Sequence, residues 1–181
     1  LRPTPEQFRI QAYAFPDFTS GFLAAIRIRE LGPCLLDFIE AFEGQPKVPG
    51  GEKDFVPTFY LGFEGARRVV DAQLREARRI VSAHKGRLRP PDVAREYWDG
   101  RHEIADLVAR DESGRSRSDG FFNEYWFDYI HVALPLGRIL EYRARALKIL
   151  ARRAILPSEV AIFAHPELLN VYFLKRRGIG D

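Results

Sequence analysis

The chain has 181 residues, of which 46% are hydrophobic and 13% aromatic, with a formal net charge of +3. That balance excludes a disordered or low-complexity chain, and the length suits one domain, or one domain with an appended subdomain. No apolar run approaches the roughly 20 residues of a membrane span, which excludes an integral helical membrane protein.

Residues 1–6 are a Pro-rich opening linker. Phe8, Ile10 and Ala12 alternate with Arg9, Gln11 and Tyr13, which predicts a half-buried strand. Asp17 reads as the N-cap of a helix to Leu31, with Phe18, Phe22, Ala25 and Ile26 on one face. Gly32-Pro33 stops it, and residues 34–42 form a second strand. A polar Gly/Pro loop over 43–54 leads to a third strand over 55–63. Glu64-Gly65 turns the chain into a long amphipathic helix ending near His84, with Lys85-Gly86 as its C-terminus.

Pro90-Pro91-Asp92 opens a further helix that carries Tyr97, Trp98, Arg101 and His102, then Ile104, Leu107 and Val108. Residues 111–120 read as a Ser/Arg/Gly loop, and 121–134 as an aromatic strand. Pro135 starts a helix with Leu136, Ile139, Leu140, Leu147 and Leu150 inward. Its arginines 143, 145, 152 and 153 read as an exposed face. Residues 159–165 and 169–175 are two short strands around His165-Pro166-Glu167. The order predicts an α+β fold: a ferredoxin-like split β-α-β core with an antiparallel sheet, helices on one face and an extra inserted helix. The sequence shows no internal repeat.

Several chemistries are excluded. Neither glycine-rich phosphate loop occurs, and no H-E-x-x-H, paired-Cys or dense carboxylate cluster supports a metal site. The lone Cys34 rules out a disulfide framework and reads as an inert core thiol. The arginines are interleaved with acids along helices, which reads as solvated faces rather than a nucleic-acid stripe. Two candidate groups remain. Tyr97, Trp98 and Arg101 share adjacent parts of one helix face, where a guanidinium fork beside an indole wall suits a carboxylate or phosphate. His131 and His165, with Tyr172, are groups that could move a proton. A core Trp with a surface Arg, and hydrogen-bonded structural histidines, are the plain alternatives.

An ordered series of segments resembles a known family. Leu1-Arg2-Pro3-Thr4-Pro5-Glu6 is similar to an L-x-P-x-P-E exit, and Phe15-Pro16-Asp17-Phe18 to an F-P-x-F segment. Leu35-Leu36-Asp37 resembles an L-x-D strand, and Leu61-Gly62-Phe63-Glu64-Gly65 an F-E-G turn. Trp98-Asp99-Gly100-Arg101 resembles W-x-x-R, and Leu134-Pro135 with Arg138 resembles P-x-x-R. Ala164-His165 with Val171-Tyr172-Phe173 is similar to S-H…L-Y-F, and Arg177-Gly178-Ile179-Gly180-Asp181 to R-G-I-S-D. Together they resemble the C-terminal cap region of FAD-linked oxidases of the vanillyl-alcohol-oxidase type. The nearest branches are the alkyldihydroxyacetonephosphate synthases and the D-lactate dehydrogenase or glycolate oxidase subunits. The G-H-x-G-D-G-N pattern of the D-lactate branch is missing around His165, which leaves the substrate open.

The resemblance implies that residues 1–181 are a substrate-binding cap domain and a fragment of a longer flavoenzyme. Its FAD would be bound mainly by a separate domain of the same parent protein. It implies Arg101 and Trp98 as substrate-binding residues for a small acidic group, and Tyr172 and His165 as catalytic residues. The isolated chain would be inactive. A homodimer is an allowed assembly, nucleic acid is not an expected partner, and the cytoplasm is the default location. From another class, a non-catalytic α+β binding or dimerisation module is the alternative, because the fold is shared by many functions.

Overall fold

The computed structural model describes residues 5–32, 34–43, 55–101 and 124–178. Seven strands form one sheet: β1 (Gln7–Ala14), β2 (Leu35–Ala41), β3 (Thr58–Gly65), β4 (Arg87–Leu88), β5 (Tyr125–Ala133), β6 (Leu156–Phe163) and β7 (Leu168–Arg176). The helices are α1 (Phe18–Arg29), α2 (Arg67–Ala83), α3 (Pro91–Gly100) and α4 (Leu136–Arg152). The strand order is β4-β1-β3-β2-β6-β7-β5, and every neighbouring pair is antiparallel. The first four strands have the order of the ferredoxin-like split β-α-β unit, as expected from the sequence.

The remainder repeats the same device. β1-α1-β2 leaves a gap that β3 fills, and β5-α4-β6 leaves a gap that β7 fills. The two units join edge to edge where β2 pairs with β6. No sequence repeat announces this, because the two halves use different side chains. The two-residue β4 was not legible either. It pairs Ala14 with Arg87 and Tyr13 with Leu88, and is too short to show a period.

Strand alternation separates two layers. One set of side chains, including Tyr13, Leu36, Phe38, Phe59, Leu61, Phe63, Val160, Ile162, Leu169 and Val171, packs with α1, α2 and α4 in the main core. The other set, with Ala12, Ile39, Tyr60 and Ala161, packs with Ala94 of α3. The inserted helix therefore lies on the face opposite the other three. We call these the helical face and the open face.

Local chemistry fixes the helix ends. The Asp17 carboxylate accepts from the backbone N–H of Ser20 at 2.7 Å, which caps α1 as the sequence predicts. At the end of α2 the left-handed residue is Lys85, at φ 64°, rather than Gly86. Gly86 is required for another reason: a Cβ there would lie 2.5 Å from Val81 Cγ1 and 2.7 Å from the Phe15 ring. β6 starts earlier than expected, at Leu156, because a register shift between Pro157 and Glu159 admits the proline into the strand. Arg143 does not lie on an exposed face. It turns inward over the Phe18 ring, 4.6 Å from its centroid, and pairs with Glu40 of β2, while Arg145, Arg152 and Arg153 are exposed. No helix among the described residues is long and apolar enough to cross a membrane.

Candidate functional site

The open face is unevenly covered. α3 lies over the β1–β3–β2 half, where Tyr97 stacks on Tyr60 with ring centroids 3.7 Å apart. The Tyr97 hydroxyl donates to Asp37 Oδ2 at 2.8 Å. Asp37 is 9% exposed, and burial pushes its carboxyl above the usual range; the bonds from Tyr97 and from the Ala164 backbone oppose that shift only in part.

This has a pH consequence. A carboxyl raised in the folded state contributes stability that is complete below its unfolded value, near 3.9, and fades as pH rises through the folded value. The stability of an Asp37→Asn variant relative to the parent should therefore improve as pH rises from about 4 to 7. Urea midpoints across that range test it, and a difference independent of pH would contradict the burial assigned to Asp37.

On the other half, the alternation of β5 sets Phe127, Tyr129 and His131 against Tyr172 of β7. In register, Tyr129 lies opposite Tyr172 and His131 opposite Asn170. The Tyr172 ring stacks on Phe127 at 6.0 Å and 10°, and meets Tyr129 at 5.8 Å and His131 at 6.3 Å. Tyr129 and His131 are themselves 4.6 Å apart, and both are exposed. Asn170 is buried and donates to the Ala161 carbonyl at 3.3 Å. Burial, the Glu159 carboxylate and Tyr129 push the Tyr172 hydroxyl up to about 12. Tyr172 therefore keeps its proton at neutral pH. It can donate a hydrogen bond to a ligand oxygen, and it is not itself a base in this setting.

The structure keeps Arg101 beside Trp98 and His131 beside Tyr172, but it holds these two groups apart and places His165 away from Tyr172. Arg101 caps the C-terminus of α3, with its guanidinium carbon 3.5 Å from the Trp98 ring centroid and a bond to the Trp98 carbonyl. Trp98 packs on Phe8 at 4.7 Å. Phe8 and Tyr172 occupy opposite corners of the open face, on the order of 30 Å apart by strand rise and spacing. His165 sits in the turn between β6 and β7, exposed, with Nδ1 3.4 Å from Arg29 Nη2 of α1. Tyr172 lies four residues into β7 and faces the other way. The histidine that accompanies Tyr172 is His131, which the sequence also offers as a proton-moving candidate. The nearest cation along β7 on that face is Arg176, about 13 Å on, paired with Glu124 at 3.0 Å. His102 and the 111–120 segment lie outside the described residues. Among the described residues no cluster of three or more ligating side chains could hold a metal ion.

No protein-family model matches the sequence, and no curated protein matches it. Comparison with solved structures is decisive for the fold. It is the fold of one part of alkyldihydroxyacetonephosphate synthase. One structure of that synthase matches with a TM-score of 0.65 and 18% identity, over 98% of this chain. Another, in a second crystal form, matches with a TM-score of 0.63 and 17% identity, over 96%. At this identity the likeness is one of fold. The chain spans 38% and 36% of the two synthase chains. The resemblance carried by the sequence motifs thus holds at the level of architecture, across nearly the whole chain.

Proposed function

We propose that this chain is the substrate-binding cap domain of an FAD-dependent enzyme, oxidoreductase or alkylglycerone-phosphate-synthase-like, acting on a small acidic substrate. The observation that carries this is the synthase fold over 98% of the chain, combined with the exposed Tyr129 and His131 that stand beside Tyr172 on the open face. The residues fit one end of the cofactor. Phe127, Tyr129, His131 and Tyr172 form an aromatic cluster whose rings are inclined to one another by 10° to 74°, so that a planar ring would meet faces and edges together. The sequence has no glycine-rich loop for a pyrophosphate, so that end belongs to the FAD-binding domain of the same parent protein.

The flavin, when bound, supplies the redox or covalent chemistry. This chain shapes the pocket above it. Tyr172 donates a hydrogen bond to a substrate oxygen, His131 and Glu159 flank it as groups able to hold a proton, and Asn170 fixes the β6–β7 floor. α3 seals the Asp37 half of the face from water. Arg101 is too far from Tyr172 to share one small substrate with it, so a carboxylate or phosphate at Tyr172 takes its cation from elsewhere.

The test is the flavin-loaded, full-length parent with Tyr172→Phe and His165→Ala. The flavin absorption bands should persist in both variants. Tyr172→Phe should lower kcat about 100-fold, as expected for loss of a hydrogen-bond donor to an oxygen that gains charge in the transition state. His165→Ala should stay within about two-fold, since its ring faces α1. A parent protein that purifies without flavin would favour the non-catalytic module instead.

A further inference from the structure

The Tyr172 cluster combines aromatic rings with a carboxylate. The ring centroids of Phe127, Tyr129 and Tyr172 stand at the corners of a nearly equilateral triangle, with sides of 6.0, 5.8 and 6.4 Å. The Tyr129 ring is turned by 46° and 48° from the other two, which lie within 10° of parallel. His131 extends the group, 4.6 Å from Tyr129. Glu159 of β6 is directly opposite Tyr172 in register, so its side chain rises from the same face. Its carboxylate is near enough to oppose ionisation of the Tyr172 hydroxyl.

Rings and carboxylate both favour positive charge. An aromatic ring attracts a cation held within roughly 6 Å of its centroid, through the negative face of its quadrupole. A cation above the centre of the triangle lies about 5 Å from all three centroids. The Glu159 carboxylate adds Coulomb attraction from the side. The chain uses the same pairing elsewhere. The guanidinium carbons of Arg101, Arg143 and Arg177 stand 3.5, 4.6 and 3.7 Å from the ring centroids of Trp98, Phe18 and Trp126. Along β7 on the open face, the nearest cation among the described residues is Arg176, which Glu124 holds at 3.0 Å. A carboxylate or phosphate placed beside Glu159 would meet like charge, and Arg176 is too far along the strand to offset it.

We infer that the Tyr172 cluster binds a substituted ammonium group, with its charge over the Phe127, Tyr129 and Tyr172 rings and its flank against Glu159. The inference rests on the reading that a substrate occupies this face, and it deepens that reading. The acidic substrate carries a cationic nitrogen as well, in the pattern of an amino acid. Its anionic end lies away from Glu159.

The experiment is calorimetric titration of the full-length parent with choline chloride, and with the neutral alcohol in which a tert-butyl group replaces the trimethylammonium group. The two probes share a shape and differ in charge. Choline should bind about 10-fold more tightly than the neutral probe. Glu159→Gln and Tyr129→Ala should each lower choline affinity roughly five-fold or more. Tyr129 is 51% exposed, so its removal should leave the circular dichroism unchanged. Equal affinity for the two probes, no binding of choline, or folded variants that bind choline like the parent would each overturn the inference. Tighter binding of acetate than of choline would overturn it in favour of an anion site. The flavin reading fails separately: a parent that prefers choline in this way but carries no flavin upholds the cation site and refutes the flavoenzyme.

Discussion

Gly21→Ala should destabilise the domain by about 2 kcal/mol, although alanine is the better helix former. Gly21 lies in α1, where replacing glycine with alanine at an open site would stabilise by up to about 1 kcal/mol. Here a Cβ would lie 2.2, 2.5 and 2.8 Å from three atoms of the Phe38 ring. The ring has little room to yield. It sits at 5.0 Å from Phe18, 5.9 Å from Phe15 and 6.1 Å from Phe59, and is fully buried. Overpacking of this kind costs about 1–3 kcal/mol and outweighs propensity. The cause can be isolated. Phe38→Leu leaves a cavity and costs about 1–2 kcal/mol alone. In that background Gly21→Ala should become neutral or stabilising, a coupling of about 2–3 kcal/mol by urea unfolding. A stabilising Gly21→Ala in the parent would show that α1 does not press on Phe38.

Arg143→Met should cost about 3 kcal/mol, and the simultaneous change of Glu40 should restore most of it. Arg143 and Glu40 pair with side chains only 20% and 15% exposed, in the layer between α4 and β2. Removing the guanidinium alone strands a carboxylate in a poorly solvated place. Replacing both, as Arg143→Met with Glu40→Leu, removes the stranded charge and also the Arg143 Nε, which is buried without an acceptor. Methionine keeps much of the stem that covers the Phe18 ring. Equal losses in single and double variants would mean that the pair itself is not what joins the units. The position matters because α4 belongs to the second β-α-β-β unit and β2 to the first. The ion pair reinforces the β2–β6 seam, which among the described residues is the only strand pairing between the two units.

The sequence by itself determined most of the elements and the α+β class. Asp17 could cap a helix because its carboxylate reaches an orphan N–H, and the β1 alternation could be read because period two survives in any context. The ordered motifs pointed to the fold of the synthase, and the structure bears that out. Other features had no sequence signature, because they depend on which strands become neighbours. Arg143 looked like its exposed companions until β2 placed Glu40 beneath it. That Trp98 packs on Phe8 of β1 could not be read from its helix alone. His165 and Tyr172 are seven residues apart in sequence, yet the β6–β7 turn sends one toward α1 and the other onto the open face. His131 was a candidate beside Tyr172 by residue type alone, and the β5–β7 register is what makes the two neighbours. Local capping and periodicity are short-range effects carried by adjacent residues. Strand order, the side of the sheet on which α3 lies and the sites built across strands are settled by burial between distant segments, so only the tertiary structure could decide them.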